Sequence, residues 1–384
     1  MRTIMVTCYF DNQNLNMMKT LSFLAGMAVC ALLTVSCDKS FPVVPDGTAP
    51  GQALLTVRLD EPATKVGAQS LTNENTIQNV QIFVFRAGSG ADAGNLEIAA
   101  SEGFSTPLNN SSGSFNGITL KCSTGQREIW AVVNDSADRT SALDGVRTRS
   151  EFLALTHELK DASPTRLLMI GHSGTDLDPS VTLHEGRVEV SISVRRLAAS
   201  VILESVKLDF TAPAYQKAEG FRLESCYLIN VPGRINFGET SEPSALPEEQ
   251  WYARLAAETA SPRAELIFDS LGGQILNHGG IYQSPHTFYT YPNNCAVSED
   301  ASWCPRASLL VLEASILYPS GWMKYYYPVQ LGEGPLESNK QYRVRLTIHR
   351  PGSLDPNKPV TICEVTPVIR VQDWESGQLY EQII

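Results

Sequence analysis

Hydrophobic and polar residues alternate with a period of two through most of the chain beyond residue 52. The clearest stretches are 53–60, 188–195 and 342–349, in which every second residue is apolar. A denser apolar run, 127–134, is typical of a central strand that is covered on both faces. Because alternation buries one face of a strand and leaves the other in water, the pattern predicts a mainly β protein built from antiparallel sandwiches.

Helical spacing is rare by comparison. Phe152, Leu155 and Leu159 keep it within 141–159, which predicts one helical crossover between two strands of the first half. Near RRLAAS at 195–200, one alternating stretch leads almost directly into the next. We therefore expect two tandem domains joined by a short connection. The N-terminal domain covers 53–197 and the C-terminal domain covers 198–384.

The first residues have the features of an export signal. The uncharged run 21–35 follows Lys19 and is shorter than the roughly 20 residues of a membrane span. It ends in LTVSC, which resembles the cleavage signal of bacterial lipoproteins, so we expect 1–37 to be a lipoprotein signal and Cys37 to carry the lipid. Residues 38–52 are rich in proline and glycine and are typical of a tether. An ordinary signal peptide or a buried apolar segment is the alternative.

Charge and cysteine content narrow the classes of partner. The 384 residues have a formal net charge of −11, which argues against nucleic acid because binding to phosphates needs a basic excess. Of the eight cysteines, only Cys295 and Cys304 lie close together in the exported part. In an oxidising compartment they form either a loop disulfide or two idle thiols.

No catalytic pattern emerges from the reactive residues. The segment GHSG at 171–174 lacks the final glycine of a nucleophile elbow, and the six histidines occur singly, without metal-ligand spacing. We therefore expect no enzyme activity, no cofactor and no metal. Tyr325, Tyr326 and Tyr327, with Trp322 nearby, form either a sugar-stacking surface or, more simply, a strand with aromatic packing.

Five segments together resemble the fimbrillins, the type V pilus subunits of Bacteroidales. They keep the family's order and spacing, whereas 211–320 match poorly. The segments are ALLTVRLDEPATKVGA with NVQIFVF, CSTGQREIWAVVND, RVEVSISVRRLAASVILESVKL, YYYPVQL with NKQYRVRLTIHRPGSLDPNKPV, and VTPVIRVQDWESGQLYEQII.

The resemblance implies two β-sandwiches of the transthyretin-like, Greek-key kind, exported as a lipoprotein and assembled into an adhesive surface fimbria. A protease then removes the first strand, and the last strand of a neighbouring subunit takes its place by strand addition. The expected cut lies between Lys65 and Val66, where the family usually has arginine. The residues of the first strand that would face the groove are Ala53, Leu55, Val57 and Leu59. The candidate donor residues are Val368, Ile369, Val371, Leu379, Ile383 and Ile384.

The partners implied by the resemblance are other fimbrial subunits, as a homo- or heteropolymer. The lipid would also hold the chain at the outer membrane, and a host protein or glycan is a further expected ligand. Two alternatives stay open. One is an anchor or accessory subunit that does not polymerise and whose terminal strands complete its own domains. The other is a lipid-anchored outer-membrane protein that binds glycans or host proteins.

Overall fold

The computed structural model describes the chain from Gly51 to Ile383 with internal gaps. The described residues are 51–60, 74, 76–108, 115–141, 145–216, 220–240, 242–260, 262–332, 334–361, 364–374 and 379–383. The predictions for the signal peptide, most of the tether, Cys37, Lys65, Val66 and Ile384 lie outside these residues. Within them, no helix has both the length and the apolar character that a membrane crossing requires.

Ten strands occupy the first half of the described chain. They are β1 (Gln52–Leu59), β2 (Ile77–Arg86), β3 (Leu96–Leu108), β4 (Ile118–Ser123), β5 (Gly125–Val133), β6 (Thr156–Glu158), β7 (Met169–His172), β8 (Ser180–Leu183), β9 (Gly186–Ile192) and β10 (Arg195–Arg196). The first sheet has the order β4-β1-β9. The second sheet has the order β10-β7-β5-β2-β3, with β8 beside β5.

Thirteen strands follow in the second half of the described residues. They are β11 (Ala199–Leu208), β12 (Phe221–Ile229), β13 (Val231–Pro232), β14 (Arg234–Asn236), β15 (Trp251–Tyr252), β16 (Phe268–Leu276), β17 (Ile281–Tyr282), β18 (His286–Thr290), β19 (Leu309–Tyr318), β20 (Gly321–Gln330), β21 (Lys340–Ile348), β22 (Val365–Asp373) and β23 (Leu379–Ile383). The third sheet has the order β17-β11-β21-β22-β23, with β18 beside β11. The fourth sheet has the order β16-β12-β19-β20, and β13–β15 and β14–β6 form small two-stranded sheets.

Helices are short in this mainly β structure, as the alternation predicts. The α-helices are α1 (Arg149–Ala154), α2 (Pro213–Gln216) and α3 (Ala264–Ile267), and single 3-10 turns span Leu159–Asp161, Pro243–Ala245 and Glu248–Gln250. The crossover helix exists but is much shorter than the predicted 141–159. Thr148 starts it late through a capping box with Glu151, whose backbone N–H donates to the Thr148 hydroxyl at 3.2 Å. It ends before β6 because Thr156 begins a pairing with β14.

Two apolar clusters explain why the central strands are so hydrophobic. Along β5, Ile129 and Ala131 face the cluster between the first and second sheets, whereas Trp130 and Val132 face a second, larger cluster. The dense run at 127–134 is therefore covered on both faces, as predicted. The larger cluster also contains Phe152 of α1 and the inner faces of the third and fourth sheets.

The four larger sheets divide between β10 and β11. This division supports the predicted domains 53–197 and 198–384, which stay a prediction. Several contacts cross the division: for example, β6 pairs with β14, and Phe152 packs against Phe237 with ring centroids 5.6 Å apart. The two halves of the described chain therefore share one core.

Candidate functional site

Strand β1 lies between two strands that it alone joins within the described residues. It pairs antiparallel with β4, from Gln52 opposite Ser123 to Val57 opposite Ile118. It pairs parallel with β9, from Ala53 opposite Gly186 to Leu59 opposite Ile192. Removing β1 would leave the facing edges of both neighbours without backbone partners. We call the groove that β1 fills between β4 and β9 the β1 slot.

The inward side chains of β1 fill the slot with apolar groups. Ala53, Leu55 and Val57 are buried in the cluster between the first and second sheets, and Leu59 packs against it while half-buried. The opposite side carries Leu54, Thr56 and Arg58, and the hydroxyls of Thr56 and Thr119 lie 3.1 Å apart across the strand pair. The predicted inward set thus lies where the alternation places it, and its displacement stays a prediction.

Polar contacts close both ends of the slot. The N–H of Gly51 donates to Glu185 Oε1 at 2.7 Å, before β1 begins. Beyond its other end, the N–H of Asp60 donates to the carbonyl of Ile192 at 3.0 Å, and Ser193 Oγ donates to Asp60 Oδ2 at 2.8 Å. These bonds help to fix the register of β1 in the slot.

A partly buried carboxylate holds strand β4 in place through contacts that do not involve β1. Glu97 on β3 accepts hydrogen bonds at 2.6 Å from both the N–H and the hydroxyl of Ser123, and it also pairs with Arg127. Burial by itself would raise the pKa of Glu97, but the bonds from Ser123 and Arg127 outweigh it and lower that pKa. The carboxylate therefore stays ionised and keeps β4 tied to β3 and β5.

The buried thiol of Cys122 lies on the same strand, β4. Burial raises the pKa of this thiol to about 12, so it stays protonated and unreactive.

At the other terminus, the candidate donor residues lie on two different strands. Strand β22 is paired on both sides, with β21 and with β23, and its Ile369 is fully buried. Val368 and Val371 on β22 are half-buried. Leu379 and Ile383 belong to β23, the edge strand of the third sheet within the described residues.

The other residues singled out in the sequence are the two neighbouring cysteines and the aromatic residues near 325. Cys295 and Cys304 are free thiols in the structure, so their disulfide stays a prediction. Tyr327 is fully buried in β20, which agrees with the strand interpretation and rules out an exposed platform of three tyrosines. Trp322 is 39% exposed, and the guanidinium of Arg222 lies 4.4 Å from its ring centroid.

The structure also contains a hydrogen-bonded series of three side chains, Asp269, His286 and Tyr282, which the sequence did not reveal. Asp269 Oδ2 lies 2.5 Å from His286 Nδ1, and His286 Nε2 lies 2.6 Å from the hydroxyl of Tyr282. Asp269 lies on β16 of the fourth sheet, whereas His286 and Tyr282 lie on β18 and β17 of the third, so the packing of two sheets brings Asp269 to His286. Their contacts tie the edges of the third and fourth sheets. Among the described residues, no cluster of three or more His, Cys, Asp or Glu side chains is placed to hold a metal ion.

Residues 53–175 match a family model described as the major fimbrial subunit protein (FimA). This stretch contains nearly all of β1, its neighbour β4, and strands β2, β3, β5 and β7 of the second sheet, whereas β9 lies beyond it. A curated relative is the major fimbrium subunit FimC of Porphyromonas gingivalis ATCC 33277, which is 22% identical over 291 residues. The match covers 74% of this chain and 54% of that protein, so the chain spans about half the length of the curated relatives it matches.

Solved structures share the fold. A fimbrilin (FimA) from Porphyromonas gingivalis W83 superposes with a TM-score of 0.58 at 15% identity, covering 84% of this chain and 98% of that one. A candidate cell adhesion protein from Parabacteroides distasonis gives 0.58 at 16% identity, covering 86% and 99%. Another, from Bacteroides eggerthii, gives 0.56 at 19% identity, covering 85% and 98%. At these identities the likeness concerns the fold alone.

Proposed function

We propose that this chain, whose residues 53–175 match the major fimbrial subunit family, is a structural subunit of a cell-surface fimbria that assembles by exchange of β-strands. The match agrees with the resemblance read from the five sequence segments. That family consists of structural subunits rather than enzymes, in line with the expectation drawn from the sequence. Polymerisation, the lipid anchor and the adhesive role belong to the proposal.

The observation that supports the exchange is the central position of β1. Because β1 joins β4 to β9, its loss leaves two unpaired strand edges and exposes an apolar groove. Exposed edges of this kind associate readily with another extended chain. A strand with the same alternation would restore the backbone hydrogen bonds and refill the pockets of Leu55 and Val57.

Processing follows from the sequence on either side of β1. In the proposed pathway, Cys37 carries a lipid that holds the exported chain at the outer membrane, and a protease then cuts between Lys65 and Val66. The cut separates β1 from the rest of the chain. Since lysine stands where the family usually has arginine, the protease must accept lysine.

The partner in this proposal is another fimbrial subunit, either a second copy of this chain or a related one. Its C-terminal strand enters the β1 slot, and the subunit's own C-terminal strand enters the next slot. Repetition of this step gives a linear polymer on the cell surface. A host protein or glycan would bind to the assembled fibre.

Mass spectrometry of purified surface fibres tests the proposal. We expect Val66 at the N-terminus of the fibre subunit, and we expect the variant Lys65→Gln to stay uncut and absent from fibres. Lys65→Arg is the matched control, because it keeps the basic side chain and should be processed normally. Fibres that contain only the uncut chain with lipidated Cys37 would contradict exchange at the β1 slot. They would favour the non-polymerising anchor instead.

A further inference from the structure

A cleft of about 630 Å³ lies where the two halves of the described chain meet. Trp130, Ile170 and His172 line it from the second sheet. Phe237, which follows β14, and Asn339, which precedes β21, line it from the other half. Volumes of roughly 300–1,000 Å³ are typical of ligand sites in proteins. We call this cavity the junction cleft.

The inner part of the junction cleft is apolar, whereas its rim is polar. Trp130, Ile170, Val194 and Phe237 line the cleft and are buried. The polar side chains of the rim are exposed or half-exposed: Asp60, Arg149, Asp176, Ser191, Ser193 and Arg195. Such a lining fits a ligand with an apolar face and polar edges, because the face packs inward while the edges meet donors and acceptors.

The charges around the junction cleft nearly cancel. Two arginines and three carboxylates line it, and both arginines are already paired. Arg195 Nη2 lies 2.8 Å from Glu239 Oε1, and Arg149 Nε lies 2.7 Å from Glu128 Oε2. An anionic ligand would have to compete with these carboxylates for the guanidinium groups. The arrangement therefore favours an uncharged ligand, which binds without displacing either ion pair.

His172 and Asp176 supply acceptors at one side of the cleft. Nδ1 of His172 donates to the carbonyl of Ser173 at 2.9 Å, so the neutral ring keeps Nε2 as an acceptor. That nitrogen lies 3.5 Å from Oδ1 of Asp176, which also accepts. A hydroxyl group of a ligand can donate to either atom.

Trp130 adds a buried donor to the same lining. It is 8% exposed, and its ring packs on His172 with centroids 4.8 Å apart. Within the described residues, its indole N–H has no hydrogen-bond acceptor. A buried donor without an acceptor is unfavourable, and an oxygen of a ligand that enters beside Trp130 would satisfy it.

A second cleft, of about 540 Å³, continues the junction cleft. The linings of the two share Arg195, Glu239 and Asn339. The second cleft adds Arg234 and Glu242, so the continuation is polar as well. A ligand made of several linked units can therefore extend from one cleft into the other.

We infer that the junction cleft binds a neutral oligosaccharide. A sugar ring combines an apolar C–H face with edge hydroxyls that both donate and accept. It matches the apolar interior of the cleft, the acceptors of His172 and Asp176, and the donor of Trp130.

This inference gives a site and a ligand class to the adhesive contact of the proposed function, and in that respect it rests on the proposed function. Asp60 would leave with β1 on processing, whereas the other residues named here stay. The cleft therefore exists in the uncut chain and in the processed subunit.

Binding of the purified, uncut chain to an array of neutral oligosaccharides tests the inference. The array carries glucose, galactose, mannose and N-acetylglucosamine units. We expect the unchanged chain to bind and His172→Phe to bind about tenfold more weakly, because the ring stays while the Nε2 acceptor is lost. His184→Phe is the matched control, since His184 is exposed and lies outside the lining of the cleft. Trp322→Ala tests the exposed indole of the fourth sheet and should bind normally.

Blocking the cleft gives a second test that needs no substitution of a buried residue. Ser191 is exposed on β9 and lines the cleft, so Ser191→Trp should abolish binding while the circular dichroism spectrum stays unchanged. Lys121→Trp places the same side chain at an exposed position of β4, outside the lining, and should bind normally.

The inference would be overturned if the unchanged chain bound no neutral oligosaccharide, or if His172→Phe and Ser191→Trp both bound normally. Loss of binding in Trp322→Ala alone would move the site to the fourth sheet. Stronger binding to sulfated or sialylated glycans would contradict an uncharged ligand. Binding to a glycoprotein that persists after enzymatic removal of its glycans would assign the cleft to a protein instead. These measurements use the uncut chain, so their outcome is separate from that of the fibre mass spectrometry, which tests polymerisation.

Discussion

At the scale of single residues, His157 is an unusual group to find in a shared core. It is 3% exposed, and its Nδ1 lies 2.6 Å from the hydroxyl of Tyr291, across the division between the sheets. Burial lowers the pKa of His157, and it prevails over the opposing influence of the nearby carboxylates Asp135 and Asp161. Arg139 and Arg166 add to the lowering. The imidazole is therefore neutral in the folded chain at pH 7.

This burial predicts acid sensitivity. Because the pKa of His157 is lower in the folded state than its ordinary value of about 6.5, the unfolded chain binds the proton more readily. The free energy of unfolding should fall as the pH drops below about 6.5, with a contribution near 1.4 kcal/mol per pH unit until the folded imidazole titrates. Urea unfolding between pH 7 and 5 measures this. His157→Gln should flatten the slope, and an unchanged slope would contradict the assignment.

Glu97 gives a second prediction at this scale, for a group that is ionised in the folded chain, whereas His157 is neutral. Its lowered pKa means that its contribution to stability is present above its ordinary value of 4.5 and is lost as the pH falls below it. Glu97→Gln should cost about 1–3 kcal/mol at pH 7, because the bonds from Ser123 and Arg127 are weakened. Glu189→Gln is the control, since its pair with Arg58 is half-exposed and should cost below about 1 kcal/mol. Thermal unfolding at pH 7 and pH 3 compares them. A difference that persists at pH 3 would contradict the role of the ionised carboxylate.

At the scale of elements, the sequence shows which face of a strand is buried better than it shows which strands pair with it. The inward residues of β1 follow from alternation alone, because a strand has a strict period of two. Its position between β4 and β9 depends on pairing between distant segments, which alternation does not encode. The same limit hid the contact of His286 with Asp269 and Tyr282, which arises only after three strands have come together.

The position of β1 predicts that one substitution has different effects before and after assembly. Leu55→Ala should lower the stability of the uncut chain by about 2–5 kcal/mol, because Leu55 is fully buried. Thr56→Ala on the outward side is the control and should cost about 1 kcal/mol or less. Denaturant unfolding of the precursor measures both values.

The effect of Leu55→Ala on the stability of assembled fibres completes the comparison. If β1 is removed on assembly, fibres from Leu55→Ala cells should dissociate at the same temperature as those of the unchanged chain. A matching loss of fibre stability would mean that β1 remains in its slot.

At the scale of the whole molecule, the two halves are less independent than the sequence suggests. The change of pattern near 195–200 indicates two domains, and the sheets do divide there. The larger apolar cluster nevertheless combines Phe83, Phe85 and Trp130 of the second sheet with the inner faces of the third and fourth sheets. A periodic pattern identifies buried faces, but it does not say which other face covers them. The shared core was therefore beyond the reach of the sequence.

A shared core predicts that the two halves unfold together. Phe237 comes from the second half and is buried against Phe152 of α1. Phe237→Ala should lower the free energy of unfolding by about 3–5 kcal/mol while leaving a single transition in calorimetry, because both halves lose the same contact. Phe104→Ala, at a half-buried ring that packs on Phe115 within the first half, should cost clearly less. Two separate transitions in the unchanged chain would show instead that each half is stable alone. In that case the contact between Phe152 and Phe237 would add little, and a fibre subunit would bend at this joint rather than behave as one body.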